Sequence, residues 1–154
     1  MLYSGGTFLS LQPLSLFDSI CSMSHPILPD TILRNLNVTI IYLFGSQMHG
    51  HTNPMSDIDI GIVFTRYEVL KNATILYTDL YDILTDIFPG PQEVDIVFLQ
   101  QTSPVFQYEV IKHGKVLYET DPLFRANYEE QVAREYMDFE PVLHQYSEAL
   151  LSRQ

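Results

Sequence analysis

Two short motifs contain the residue types that metal and phosphate chemistry uses. Asp57 and Asp59 stand two positions apart among isoleucines, and Gly45-Ser46 precedes them across a polar loop. Because the side chains of a strand alternate between its faces, both carboxylates should point to the same face. Adjacent carboxylates repel each other unless a cation lies between them. The pair therefore predicts a divalent cation with oxygen ligands, which in a cell means Mg2+.

The Gly45-Ser46 dipeptide follows Val38–Phe44, a run of β-branched and aromatic residues that predicts a strand buried on both faces. A turn at the end of such a strand exposes backbone N–H groups, and the serine adds a hydroxyl. These groups suit a phosphate. We therefore expect a phosphate-bearing substrate beside the carboxylates.

A third acid, Asp95, lies within the apolar segment Glu93–Leu99, which predicts another strand. Burial of an unpaired carboxylate is unfavourable, so an acid in such surroundings should have a partner. We expect Asp95 to join Asp57 and Asp59 around the cation. The alternative is a surface acid near the end of a strand.

The order of these motifs resembles that of the nucleotidyltransferases of the DNA polymerase beta superfamily. Their signature is Gly-Ser, a gap of about ten residues, Asp-x-Asp, and a third acid on a neighbouring strand. The resemblance implies that Asp57, Asp59 and Asp95 are catalytic and bind metal, with two Mg2+ ions. It also implies that Gly45 and Ser46 bind the nucleotide, with ATP as the substrate.

Within that superfamily the chain is similar to the minimal nucleotidyltransferases of the MntA antitoxin type, from about Asp30 to Ser147. This resemblance implies transfer of AMP from ATP onto a tyrosine of a cognate HEPN-domain (HepT-type) ribonuclease toxin, in a hetero-oligomer. The chain departs from the family after the Gly-Ser pair. Gln47 and His49 stand where members commonly carry arginines, and this loss of positive charge should weaken the hold on the triphosphate.

Two other functions stay open for a chain with these motifs. One is a nucleotidyltransferase for a small molecule such as an aminoglycoside, although such enzymes generally need additional chain for an acceptor pocket. The other is a non-catalytic antitoxin that acts by binding alone. Asp-x-Asp also occurs in glycosyltransferases and in haloacid-dehalogenase-like phosphatases, and it can be a surface acidic pair without a metal.

Composition narrows the class of partner. The formal net charge is -11, from 19 acids against 8 lysines and arginines, which argues against direct nucleic acid binding. This balance favours a basic protein or a nucleotide carried by a metal. A single cysteine, Cys21, fits a reducing cytoplasmic location. No apolar run approaches the ~18 residues that a membrane span needs, so no membrane association is expected.

The pattern of the chain predicts an α+β fold, with a small mixed sheet flanked by helices and a helical C-terminal tail. Residues 1–25 should form an N-terminal extension, loosely ordered or outside the native chain, and residues 26–154 a single nucleotidyltransferase domain. The predicted strands are Val38–Phe44, Asp57–Phe64, Glu93–Leu99 and an edge strand, Lys115–Glu119. Helices are predicted from Asn72 to about Phe88, from Ser103-Pro104 to Gly114, from Asp121-Pro122 onwards, and a last one from Pro141.

Overall fold

A four-stranded mixed sheet forms the centre of the fold. The computed structural model describes residues 28–45, 57–88, 90 and 93–151, with side chains up to residue 142. The strands are β1 (Val38–Phe44), β2 (Ile58–Phe64), β3 (Val94–Phe98) and β4 (Lys115–Glu119). Their order is β3-β2-β1-β4. β1 is antiparallel to both neighbours, and β2 is parallel to β3.

Helices cover both faces of this sheet. They are α1 (Asp30–Asn35), α2 (Ala73–Ile87), α3 (Pro104–His113) and α4 (Pro122–Leu151), and short 3-10 turns at Tyr67–Asn72 and Leu99–Gln101 follow β2 and β3. The predicted α+β fold with a mixed sheet flanked by helices is confirmed. Residues 1–25 lie outside the described residues, so the N-terminal boundary of the domain stays a prediction.

β1 is a central strand, as its unbroken apolar sequence predicts. Ile41 and Leu43 point into a core cluster that includes Leu80 of α2, whereas Ile40 and Tyr42 point into a cluster on the other face, with Val110 of α3. A strand buried on both faces has no solvated side, which explains the absence of alternation in its sequence. β2, which carries Asp59, is therefore paired with a strand that is buried on both faces.

The second half of the apolar stripe of α2 differs by one residue from the expected one. The sequence predicts Leu76, Leu80, Ile83 and Ile87 as the residues facing the core. Leu76, Leu80 and Leu84 are buried instead, and both isoleucines are only half-buried at the margin of the helix. A spacing of four residues keeps the three leucines in one row against the sheet, and Phe88 continues that row.

α3 begins and ends where the sequence predicts. The Ser103 side chain accepts a hydrogen bond from the backbone N–H of Phe106, and Pro104 occupies the first helical position. These are the features of an N-cap. The helix ends at Gly114, whose N–H donates to the carbonyl of Val110. The chain turns there into β4, the predicted edge strand.

The side chain of Gln100 holds the far end of β2. Its Oε1 accepts from the backbone N–H of Phe64 at 2.9 Å, and its Nε2 donates to the carbonyl of Phe64 at 3.0 Å. The amide therefore occupies the place that a further residue of β3 would take in the ladder. β2 and β3 are thus joined by two additional hydrogen bonds after β3 has ended.

The predicted helix start at Pro141 is wrong, because α4 runs without interruption from Pro122 to Leu151, with Pro141 inside it. Proline has no N–H to donate to the carbonyl of Met137, but its fixed φ is compatible with a helix. The ring takes its place in an exposed part of α4, where solvent can satisfy the freed carbonyl.

No helix of the described residues is both long enough and apolar enough to cross a membrane.

Burial of the leucine row of α2 predicts a loss of stability when one of these leucines is truncated. Leu80 is 0% exposed, and Leu80→Ala should lower the free energy of unfolding by about 2–5 kcal/mol, because it removes buried methyl groups and leaves a cavity. The control is Ile75→Ala on the same helix, where the side chain is 66% exposed and the expected change is below about 0.5 kcal/mol. Urea denaturation of both variants measures the difference, and equal losses would contradict this packing.

Candidate active site

The register of the sheet brings two of the predicted acids together. Asp59 of β2 is the direct partner of Asp95 in the parallel ladder between β2 and β3. Partner residues in a parallel pair project to the same face. Asp57 immediately precedes β2 and lies at the same end of the sheet. Three acids from two neighbouring segments therefore lie close together at one end of the sheet.

Gly45 adjoins this group from the other side of β2. Asp59 pairs with Phe44 in the antiparallel ladder, and the chain turns at Gly45 with a φ of +92°. A Cβ at Gly45 would lie 1.8 Å from Oδ2 of Asp59, which is an impossible distance. Glycine is required here both for the positive φ and for the approach of the Asp59 carboxylate to the backbone.

The electrostatics of Asp59 reflect its surroundings. Burial raises the pKa of this carboxyl, and the charges of Asp95 and then Asp57 raise it further. Asp59 is half-buried, whereas Asp57 and Asp95 are exposed. The charge on Asp59 is thus opposed by its neighbours, so the group should attract a cation.

The donor set fits a hard divalent cation. Carboxylate oxygens are the ligands that Mg2+ prefers, and the repulsion around Asp59 is the field in which a cation is stabilised. Among residues 28–45, 57–88, 90 and 93–151, no three His, Cys, Asp or Glu side chains are arranged to hold a metal ion as they stand. Asp57, Asp59 and Asp95 thus share one end of the sheet, but they do not form a closed coordination shell.

Several residues singled out in the sequence cannot be placed. Ser46 lies outside the described residues, and so do Gln47 and His49, which stand at the family's arginine positions. Gly61 of β2, two positions after Asp59, is closely packed. A Cβ there would meet the side chain of Leu99 at 3.1–3.2 Å, so this glycine accommodates core packing.

An aromatic pair beside the acids is not evident from the sequence. Phe44, the ladder partner of Asp59, packs edge-to-face with Phe106 of α3, with ring centroids 5.6 Å apart. Phe106 is 37% exposed. The two residues are 62 positions apart in the chain, and only the packing of α3 on the sheet brings them together. The acid cluster therefore has an apolar wall on the β1 side.

The family signature covers the elements that build this site. The sequence profile of the family described as polymerase beta, nucleotidyltransferase, matches residues 29–123, from α1 to the start of α4. The chain belongs to this family. The match includes Gly45, all three acids, and the four strands that position them. The predicted membership in this superfamily is therefore confirmed.

Relatives of this nucleotidyltransferase include a protein adenylyltransferase, MntA, of Aphanizomenon flos-aquae (strain 2012/KM1/D3). The two are 32% identical over 84 residues, which are 52% of this chain and 56% of the relative. The matched region thus spans little more than half the length of that curated protein.

Solved structures of toxin–antitoxin complexes contain chains with the same fold. One, a toxin–antitoxin with AMP-PNP, has a chain 27% identical to this one, with a TM-score of 0.56 and coverage of 80% and 93% of the two chains. Another is a tri-AMPylated Shewanella oneidensis HEPN toxin in complex with its MNT antitoxin. It matches at 25% identity and a TM-score of 0.52, with coverage of 80% and 90%.

The repulsion at Asp59 predicts a pH-dependent gain in stability when its charge is removed. Because the pKa of Asp59 is raised in the folded state, the group stabilises the fold below the ordinary carboxyl pKa of 3.8 and loses that contribution as the pH rises through the folded-state value. At neutral pH and without divalent cations, Asp59→Asn should therefore raise the Tm, and the gain should shrink as the pH falls toward 3.8.

Thermal unfolding in EDTA over a pH series checks this expectation. The control is Asp79→Asn, which removes an exposed carboxylate of α2 and should leave the Tm nearly unchanged. A lower Tm for Asp59→Asn at neutral pH would mean that this carboxylate has a stabilising partner.

Proposed function

We propose that this nucleotidyltransferase transfers AMP from ATP onto a tyrosine of a HEPN-domain toxin in the cytoplasm and thereby neutralises the toxin. The observation that carries the proposal is the pairing of Asp59 with Asp95 in the parallel ladder. The pair lies beside the turn at residue 45, where only glycine fits. The name of the Aphanizomenon relative and the complexes of similar chains with AMP-PNP and with an AMPylated HEPN toxin support it.

The residues have distinct roles in the proposed transfer. Asp57, Asp59 and Asp95 would supply the oxygen ligands of the metal ions, and Asp95 would also act on the attacking tyrosine hydroxyl. The backbone at Gly45 and the hydroxyl of Ser46 hold the β- and γ-phosphates, which fixes the α-phosphorus over the carboxylates. Two Mg2+ ions, when bound, supply the positive charge that offsets the triphosphate and the leaving pyrophosphate.

The chemistry of the step follows from that arrangement. The tyrosine oxygen forms a bond to the α-phosphorus, and the bond from that phosphorus to the bridging oxygen of the β-phosphate breaks. Pyrophosphate leaves with the electron pair. Asp95, which is exposed at the edge strand β3, accepts the tyrosine proton as a general base. Because β3 is an edge strand, a protein side chain can reach Asp95 without displacing another strand.

The net charge of -11 suits an acceptor protein with a basic surface. A ribonuclease needs such a surface to bind the phosphates of RNA.

Incubation with ATP labelled at the α-phosphate, Mg2+ and the product of the adjacent gene, taken as the HEPN-domain acceptor, tests the proposal. The expected result is Mg2+-dependent label on a tyrosine of that protein and loss of its ribonuclease activity. Label on an added aminoglycoside would instead support a small-molecule transferase. Inhibition of the ribonuclease without label, unchanged in Asp57→Ala, would support an antitoxin that acts by binding alone.

The role of Asp95 predicts a large loss of transfer on neutralisation. Asp95→Asn should lower the rate of label transfer by at least about 10²-fold, because the variant lacks the base and one oxygen ligand of the metal. The control is Glu93→Gln, two residues earlier and also exposed, which should keep nearly the full rate. Similar rates for Asp95→Asn and the unchanged chain would remove Asp95 from the reaction.

The contact between Gly45 and Asp59 predicts a second loss. Gly45→Ala places a methyl group where Oδ2 of Asp59 now lies and imposes an unfavourable φ, so the carboxylate must move. We expect transfer to fall by at least about tenfold. Gly61→Ala is the matched control on β2, because the three atoms nearest to its methyl group all belong to the Leu99 side chain. It should lower the Tm and leave the transfer rate of the folded protein largely intact.

A further inference from the structure

The second half of α4 extends an apolar stripe beyond the part of the helix that the domain covers. α4 packs on α3 and β1 through its first half, where Val132 is buried and Tyr136 stacks on Tyr108 with ring centroids 4.1 Å apart. Every side chain from Met137 to Val142 is exposed. We call residues 137–151 the α4 arm, which at ~1.5 Å per residue is about 22 Å long.

The exposed side chains of the arm include large apolar ones. Phe139 is 42% exposed, Val142 is 56% exposed and Met137 is 62% exposed. Phe139 lies seven residues after the buried Val132, which places it on the same side of the helix, and Val142 lies at the margin of that side. The stripe that faces the core in the first half of α4 is therefore open to solvent at Phe139.

The spacing of the apolar residues identifies the kind of surface that would cover this stripe. Successive steps of four, three, four, three and four residues connect Val132, Tyr136, Phe139, Leu143, Tyr146 and Leu150. This is the repeat of helices that pack lengthwise against another helix. The arm is therefore suited to lie along a second helix or in a groove between two helices.

The arm also lacks features that would stabilise it alone. Pro141 removes one intrahelical hydrogen bond and costs about 3 kcal/mol in a helix interior. Because α4 is continuous through Pro141, the residues after it extend a helix that is already formed. A packing partner would offset the cost of Pro141 and stabilise the arm as a helix.

The charge of the arm favours one class of partner. Glu135, Asp138, Glu140 and Glu148 lie in or beside it, and the sequence contains no lysine or arginine from residue 135 to residue 152. A second copy of this chain would bring acids against acids. A helical partner with lysines and arginines along the edges of its groove would pair with them.

We propose that the α4 arm docks lengthwise into an apolar groove between helices of the partner protein, with basic side chains along the rim of that groove. This inference rests on the proposed function in taking the HEPN protein as the occupant. The arm then holds the acceptor protein on the nucleotidyltransferase and contributes affinity without taking part in the transfer step.

Phe139→Ser and Val142→Ser in the full chain test the docking. Each should weaken binding to the neighbouring HEPN protein at least tenfold by isothermal titration calorimetry, and added salt should weaken binding of the unchanged chain. The affinity for Mg2+ and a non-hydrolysable ATP analogue should stay the same in both variants. The control is Ile75→Ser, which replaces a 66% exposed apolar residue of α2 and should not change binding to the HEPN protein.

Hydrogen exchange gives a second, independent measurement. Amides of residues 142–151 should exchange rapidly in the chain alone and become protected in the complex. Protection in the chain alone at every concentration would overturn the inference, because the arm would need no partner. A dimer of the chain in sedimentation that Phe139→Ser converts to a monomer would assign the arm to a second copy instead.

The outcomes separate this inference from the function on which it rests. If the unchanged chain binds and labels the HEPN protein, and Phe139→Ser and Val142→Ser bind it equally well, the docking surface is wrong and the proposed function stands. If the unchanged chain neither binds nor labels that protein, both are wrong. Binding and labelling by the unchanged chain, with weakened binding in the two variants alone, supports both.

Discussion

The repulsion between carboxylates on adjacent strands is the constraint to which this structure is adapted. Asp59 and Asp95 face each other in a parallel ladder, and Asp57 adds a third negative charge at the same end of the sheet. Such an arrangement is unfavourable in the absence of a cation, so the surrounding fold must hold it in place. It does so with β1 and β2, whose strands are almost fully buried. The stability of the core therefore allows the site to remain destabilised.

The backbone at Gly45 and the carboxylate of Asp59 constrain each other's positions at this site. Oδ2 of Asp59 occupies the space that any side chain at residue 45 would need. The turn that is proposed to bind phosphate and the strand that is proposed to bind metal are therefore in van der Waals contact. The proposed substrate, a triphosphate with its metal, would bridge the two.

Much of the fold could be predicted because its signals are local. The apolar run of Val38–Phe44, the Ser103 cap and Gly114 each fix an element through nearby residues, and all three agree with the structure. Alternation along the strand also predicts a common face for Asp57 and Asp59, which stays a prediction because Asp57 precedes β2. The contact of Asp59 with Gly45 and the edge-to-face pair of Phe44 and Phe106 could not be predicted, because each depends on which elements pack together.

The error at Pro141 has a different origin. Proline disfavours a helix interior on average, yet one proline costs less than the many hydrogen bonds that continue α4 on either side. The stripe of α2 was misplaced for a related reason. Two neighbouring rows of apolar residues along a helix have the same spacing in the sequence. Which of the two rows is buried depends on how the helix packs on the sheet.

The side-chain amide of Gln100 affects the register between β2 and β3, on which the position of the acids depends. A slip of one residue between β2 and β3 would turn Asp95 toward α2 and separate it from Asp59, since successive side chains point to opposite faces. Such a slip would also break both hydrogen bonds between Gln100 and the backbone of Phe64, at the opposite end of the strand from the acids. Gln100 thus stabilises, from the opposite end of the strands, the register in which Asp59 and Asp95 are partners.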